Sequence, residues 1–339
     1  MSLAFERPHY VVSAAGHRAT SARLPLVAVA VVLQTMLGLP AVFAQNFGEW
    51  GAPVSLDPDR TIGINTPFND GCPIESPDRH TLYFATDRPT AVSGSQLDIW
   101  TASRQLENEW DIAPLPFPVN RLNAAEFCPT PLRGRRLLFV STRANNCNGT
   151  GPNPDIYYTR QDHEGNWSEP QPLSCSINTA GAEFSPSLVE AEGQTMLFFS
   201  SGTPISQKIY VSLLQPDGTW GAAEEVFQLN AAGSSDARPN VRKDGLEIVW
   251  DSTRDGGPPQ IYTATRSSVF EAWSHVTPLA TCPQDCINDP TEAQTRASLS
   301  RDGTRLYFGS TRANKNLGGV QSDIYVATRP RPGKGNQEH

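Results

Sequence analysis

The stretch DGTRLYFGSTRANKNLGGVQSDIYVATR, Asp302 to Arg329, decides the fold, because four earlier segments follow its plan. They are RHTLYFATDR…LDIWTASR, GRRLLFVSTRANN…PDIYYTR, GQTMLFFSSG…QKIYVSLL and GLEIVWDSTRDGG…PQIYTATR. Each joins a hydrophobic run ending in small and polar residues, through a variable loop, to a second strand-like run. Tryptophan segments punctuate the copies: WGAPVSL from Trp50, WDIAPLPF from Trp110, WSEPQPL from Trp167, WGAAEEVFQL from Trp220 and WSHVTPL from Trp273, spaced 60, 57, 53 and 53 residues apart. A connector follows each tryptophan segment. It contains an Asn and usually an acid, and leads into a short strand that often holds proline.

Four short strands per unit, repeated without helices, predict an all-β fold: a β-propeller with five rather than six blades, each a four-stranded antiparallel sheet. One such sheet buries little alone, but face to face around an axis each covers its neighbour. If each tryptophan segment is the outer strand of the preceding blade, WGAPVSL must complete the blade ending at Arg329. The ring then closes by pairing the N- and C-terminal strands, which hides an open edge. The 29 prolines, 26 glycines and 18% charged residues suit a turn-rich β protein.

These repeats resemble the WD40-like β-propeller repeat of TolB-type periplasmic proteins and of the propeller domain of prolyl oligopeptidases. SRDGTRLYFGSTR…SDIYVATR carries the resemblance most fully, and it extends over residues 50–329. It implies the propeller fold. It implies no activity, because the chain has no hydrolase domain and no G-x-S-x-G elbow. It also departs from TolB-type proteins, which have six blades and an extra domain.

Leu24 to Ala44, LPLVAVAVVLQTMLGLPAVFA, follows Arg18 and Arg23 and ends in small residues, the pattern of a secretory signal peptide, with a membrane anchor as the alternative. The expected organisation is therefore a leader over residues 1–44, one propeller over 45–329 and a disordered basic tail over 330–339. An exported chain, periplasmic or secreted, follows, and any membrane contact would run through an uncleaved leader. The chain carries a net charge of −8, and its first 44 residues hold three arginines against one glutamate, so the remainder is more acidic still. That argues against nucleic acid as a partner.

All six cysteines follow the leader, which favours disulfides. Topology puts them on one face and suggests Cys147 with Cys175, Cys72 with Cys128, and Cys282 with Cys286, among 15 possible connectivities. Arg88, Arg143, Arg254 and Arg312 end the hydrophobic runs of their units, and Asp98, Asp155 and Asp323 open the strand-like runs after the loop, where the fourth copy has Gln260 opposite Arg254. In the third copy Gly202 and Lys208 replace both members, so the reading is three Arg–carboxylate pairs: Arg88–Asp98, Arg143–Asp155 and Arg312–Asp323.

Asp70, Glu126, Glu183 and Asp236 precede the inner strands, with Gln294 at the fifth place. They form an acidic ring at the channel mouth, open to two readings. One is a Ca²⁺ site or a carboxylate pair for glycosidic chemistry; the other is acceptance of backbone N–H groups within each connector. Recurrence once per unit favours the second, and no cofactor is expected. His80, His163 and His275 fall in separate units and build no metal site. The functional expectation is a non-catalytic binding or scaffold propeller recognising a protein, peptide or envelope glycan through its loop-rich face. The alternative is a glycan-acting hydrolase or lyase using the acids at the channel mouth.

Overall fold

The computed structural model describes residues 47–90, 96–106, 109–147, 153–203, 205–283, 285–312 and 321–331. The leader at 1–44 and the tail beyond Arg331 lie outside them. The described chain is a five-bladed β-propeller of four-stranded antiparallel sheets.

Blade 1 holds β2 (Asp70–Glu75), β3 (Thr81–Thr86), β4 (Asp98–Leu106) and β5 (Glu109–Pro114), and blade 2 holds β6 (Glu126–Leu132), β7 (Arg136–Ser141), β8 (Asp155–Arg160) and β9 (Gln171–Pro172). Blade 3 holds β10 (Ala182–Ala191), β11 (Gln194–Thr203), β12 (Ser206–Leu213) and β13 (Glu224–Glu225). Blade 4 holds β14 (Asp236–Val241), β15 (Glu247–Ser252), β16 (Gln260–Thr265) and β17 (Ser274–Pro278). Blade 5 takes β18 (Gln294–Leu299), β19 (Arg305–Ser310) and β20 (Asp323–Thr328) from the C-terminal end and its outer strand β1 (Val54–Ser55) from the N-terminal end.

The closing pair is short, Val54 opposite Val326 and Ser55 opposite Tyr325, and backbone hydrogen bonds extend it, Leu56 N donating to Ile324 O on one side. Gly51 N donates to Thr328 O and Gly48 N to Pro330 O. The Arg329 guanidinium lies over the rings of Phe47 (3.9 Å) and Trp50 (4.2 Å), where cation–π attraction adds to packing. Two hydrogen bonds, 2.9 and 2.6 Å, tie the same guanidinium to Glu247. Gly303, at φ 71°, lets the β18–β19 turn pass beneath Phe47, since a Cβ there would lie 2.8 Å from the ring.

The core lies between blades. One cluster joins Phe198 and Ile209 of blade 3 to Ile248, Trp250 and Trp273 of blade 4, and another joins Phe84 and Ala102 of blade 1 to Tyr307 and Ile324 of blade 5. Similar clusters fill the other three interfaces. Burying two faces of each sheet explains why LYF, LLF and IVW runs recur as continuous apolar stretches instead of strict alternation.

The asparagine in every connector has a specific task. Asn65, Asn120, Asn178, Asn230 and Asn288 each accept from the backbone N–H, and donate to the backbone C=O, of Ile324, Ile99, Ile156, Ile209 and Ile261 respectively. The side-chain amide thus imitates one residue of a fourth strand and satisfies buried backbone groups where the real outer strand has ended. This lets β9 and β13 be two residues long.

Candidate functional site

Antiparallel blades give the ring two unlike ends. The loops between second and third strands and the interblade connectors emerge at one, the loop face. The tight turns joining first and second strands emerge at the other, the turn face.

At the loop face the acidic ring is present but closed. Asp70, Glu126, Glu183 and Asp236 are all 0% exposed, so none is open to a sugar arriving from solvent. Three are held by arginine: Arg88 on Asp70 at 2.8 Å, Arg143 on Glu126 at 3.0 Å and Arg254 on Asp236 at 2.5 Å. The expected pairs with Asp98 and Asp155 are therefore corrected. Asp98 accepts from Thr90 Oγ1 and Asp155 from Asn145 Nδ2, both at 2.8 Å. Asp323 is paired with Arg60, while Arg312 donates to the carbonyls of Cys286 and Ile287. The reason is register. Asp70 lies opposite Thr86 across β2 and β3, so an arginine two residues farther on folds back over the acid without crossing the variable loop.

Each arginine also holds the connector that brings the chain in from the previous blade. Arg88 donates to the carbonyls of Gly63 and Ile64, Arg143 to Pro118 and Val119, and Arg254 to Leu229. In blade 3, where the arginine is absent, Glu183 accepts from Thr179 N and Oγ1 and from Ser201 Oγ. Burial holds the carboxyls of Asp70 and Glu126 above their usual values despite the arginines. Asp236 feels the same burial, but hydrogen bonds led by Arg254 and Ser252 outweigh it and its carboxyl lies below the usual value.

The axis is nearly filled. Every innermost strand carries a bulge, at Cys72–Pro73, Cys128–Pro129, Ser185–Pro186, Arg238–Pro239 and Arg296–Ala297, whose first residue has φ of 47–58°. The bulge bends each unpaired inner edge, and proline removes a donor that the channel would leave unanswered. The remaining cavity is about 30 Å³, lined by these residues, which is room for water and not for a sugar. Arg238 is ion-paired with Asp251, whose other oxygen accepts from Arg296 N. Burial, with Arg238 nearby, pushes the Arg296 guanidinium down to about 10.

Three disulfides are present: Cys72–Cys128, Cys147–Cys175 and Cys282–Cys286. The first staples blades 1 and 2 at the axis, with Cα atoms 4.9 Å apart. The second ties the β7–β8 loop to the connector leaving blade 2. Three disulfides suit an oxidising, exported environment. Among the described residues, no group of three or more His, Cys, Asp or Glu is arranged to hold a metal.

Two carboxylates that sequence reasoning passed over flank the mouths of innermost strands on adjoining blades. Asp87 accepts from Asn69 N (2.8 Å) and Nδ2 (2.7 Å). It stands where Thr142, Thr253 and Thr311 accept the corresponding backbone N–H in blades 2, 4 and 5. Glu292 accepts from Thr311 Oγ1 at 2.6 Å. Both are partly exposed. The visible signal was Asp87 breaking a run of hydroxyl residues just before the repeated arginine.

No protein-family model matches the chain, and no curated protein matches it. Among solved structures it is similar to an α-L-arabinofuranosidase from Podospora anserina in complex with cellotriose, at 12% identity and a TM-score of 0.51, covering 84% of this chain and 98% of that one. It is also similar to a GH43 endo-arabinanase from Bacillus licheniformis, at 13% identity and a TM-score of 0.50, covering 77% and 94%. A TolB structure from Agrobacterium tumefaciens matches at 13% identity and a TM-score of 0.45, covering 84% and 99%. At these identities the likeness establishes the fold. The expectation of a non-catalytic binding or scaffold module is corrected in favour of its glycan-acting alternative, because the two of these structures with TM-scores of 0.51 and 0.50 are glycoside hydrolases.

Proposed function

We propose that the chain is an exported glycan-acting hydrolase whose substrate meets the loop face, and that Asp87 and Glu292 supply its working carboxylates. The observation carrying the reading is the likeness of the whole ring to an arabinofuranosidase and an endo-arabinanase, which directs attention to arabinose-containing glycans. Glycosidic hydrolysis needs two carboxyl groups, one to protonate the leaving oxygen and one to act as base or nucleophile. The acids of the buried ring are committed to holding connectors, whereas Asp87 and Glu292 retain exposure at the mouth.

The test is sugar release from arabinan and arabinoxylan oligosaccharides, followed by chromatography. Asp87→Asn and Glu292→Gln are each expected to cut turnover by about 10²–10⁴-fold at unchanged melting temperature. Asp255→Asn is expected to retain turnover, because Asp255 serves the Tyr262 hydroxyl at 2.6 Å. Absence of release from any such substrate, or wild-type turnover in both variants, overturns the proposal.

A further inference from the structure

The turn face has the opposite chemistry. Its axial mouth is a cavity of about 150 Å³ built from every blade: Pro77 of blade 1, Arg133 and Arg136 of blade 2, Glu190 of blade 3, Lys243 of blade 4 and Arg301 of blade 5. Arg136 has Glu190 at 4.0 Å. In the adjoining clefts Asp244 is engaged by Arg242 and Asp302 by Arg79 and Arg331, while the exposed Asp78, which lines both clefts, accepts from Ser76 Oγ and His80 N. Arg133, Lys243 and Arg301 differ from these cations. Among the described residues, no ion pair or side-chain hydrogen bond engages the side chain of any of the three. Burial, and then the neighbouring Arg133, pushes the Arg301 guanidinium below its usual value.

Unanswered like charges around one cavity repel, and an anion from outside relieves that repulsion. The mouth does not stand alone. It continues into a cleft of about 810 Å³ that shares Pro77, Lys243 and Arg301 with it and adds Arg79, Arg242 and Arg331. On another side it opens to a cleft of about 580 Å³ that shares Arg133 and Arg136 and adds Arg135, Tyr83 and Trp167. The three spaces form one basic groove across the axis, with apolar walls in the mouth from Leu132 and Leu188. Guanidinium forks suit carboxylates, and aromatic and aliphatic walls suit the C–H faces of a sugar ring.

We propose that this groove binds an acidic glycan, with a uronate carboxylate seated among Arg133, Lys243 and Arg301 and the chain running out along the two clefts. The inference does not rest on the catalytic reading, since it concerns the opposite end of the ring.

Calorimetric titration of the full chain with a galacturonate oligomer, a neutral arabinose oligomer of equal length and a short oligonucleotide tests it. The galacturonate oligomer is expected to bind in a salt-sensitive way. Arg301→Gln and Arg133→Gln are each expected to weaken that binding by about tenfold or more, with circular dichroism unchanged and arabinose release unaffected. Binding of the uronate unchanged in both variants, no uronate binding at all, or binding of the neutral sugar or oligonucleotide as tight as the uronate overturns the proposal.

Discussion

Blades 2 and 3 use the same strand plan, Asn clamp and connector, yet hold the buried acid differently. In blade 2, Glu126 is charge-paired with Arg143, which also secures two carbonyls of the incoming connector. In blade 3, Glu183 is satisfied by hydroxyls and a backbone N–H. The propeller therefore requires an acceptor at that point and does not require an ion pair. The arginine is a second way of holding the connector, and its removal is costly only where a charge has been buried against it.

The largest break in this comparison is Arg143→Ala. It strands a buried carboxylate and is expected to cost about 3–5 kcal/mol in a denaturant melt. Replacing both members, Arg143→Met with Glu126→Leu, is expected to recover most of that loss, which would separate the cost of an orphaned charge from the worth of the pair. Next is the covalent reinforcement that blade 2 has and blade 3 lacks. Converting Cys147 and Cys175 together to serine opens a loop with a sequence separation of 28 and is expected to cost about 3 kcal/mol, read as a lower denaturation midpoint. Glu183→Gln leaves an acceptor for the same donors and is expected to cost about 1 kcal/mol or less in the same assay.

The smallest effect is in pH dependence. Burial raises the Glu126 carboxyl above 4.5, so the native state keeps its proton where the unfolded state has released it. The resulting stability is complete below pH 4.5 and disappears as pH rises through the folded value. Asp236 works in the other direction: its lowered value contributes above pH 3.8 and is lost as pH falls through the folded value. Glu126→Gln is therefore expected to reduce the decline in stability between pH 4.5 and 7, as measured by urea midpoints at several pH values. An unaltered slope would show that blade 2 contributes nothing to it.

The architecture was legible because the repeat encodes it: five LYF-type runs and five tryptophan segments leave little freedom in strand count or ring closure. The arginine partners were misread because each unit offers two acids, and the nearer in sequence lies across a loop of varying length. The true spacing is nearly constant, 18 residues for Arg88–Asp70, 17 for Arg143–Glu126 and 18 for Arg254–Asp236, as a rigid hairpin demands. Constant spacing was the available signal. Arg133, Lys243 and Arg301 carried no such signal. They sit in tight turns where many polar residues serve equally well, and only the closed ring reveals that three of those turns meet at one mouth.

The way the ring is fastened makes the order of its blades along the chain incidental. Gly48 and Pro330 are already joined by a hydrogen bond of 3.3 Å, so the two chain ends of the propeller meet on blade 5. A gene rearranged to fuse these ends and begin in a connector before another blade would produce the same molecule from a circularly permuted sequence. Blade 5 would then be continuous, and the blade at the new opening would take over the two-ended fastening.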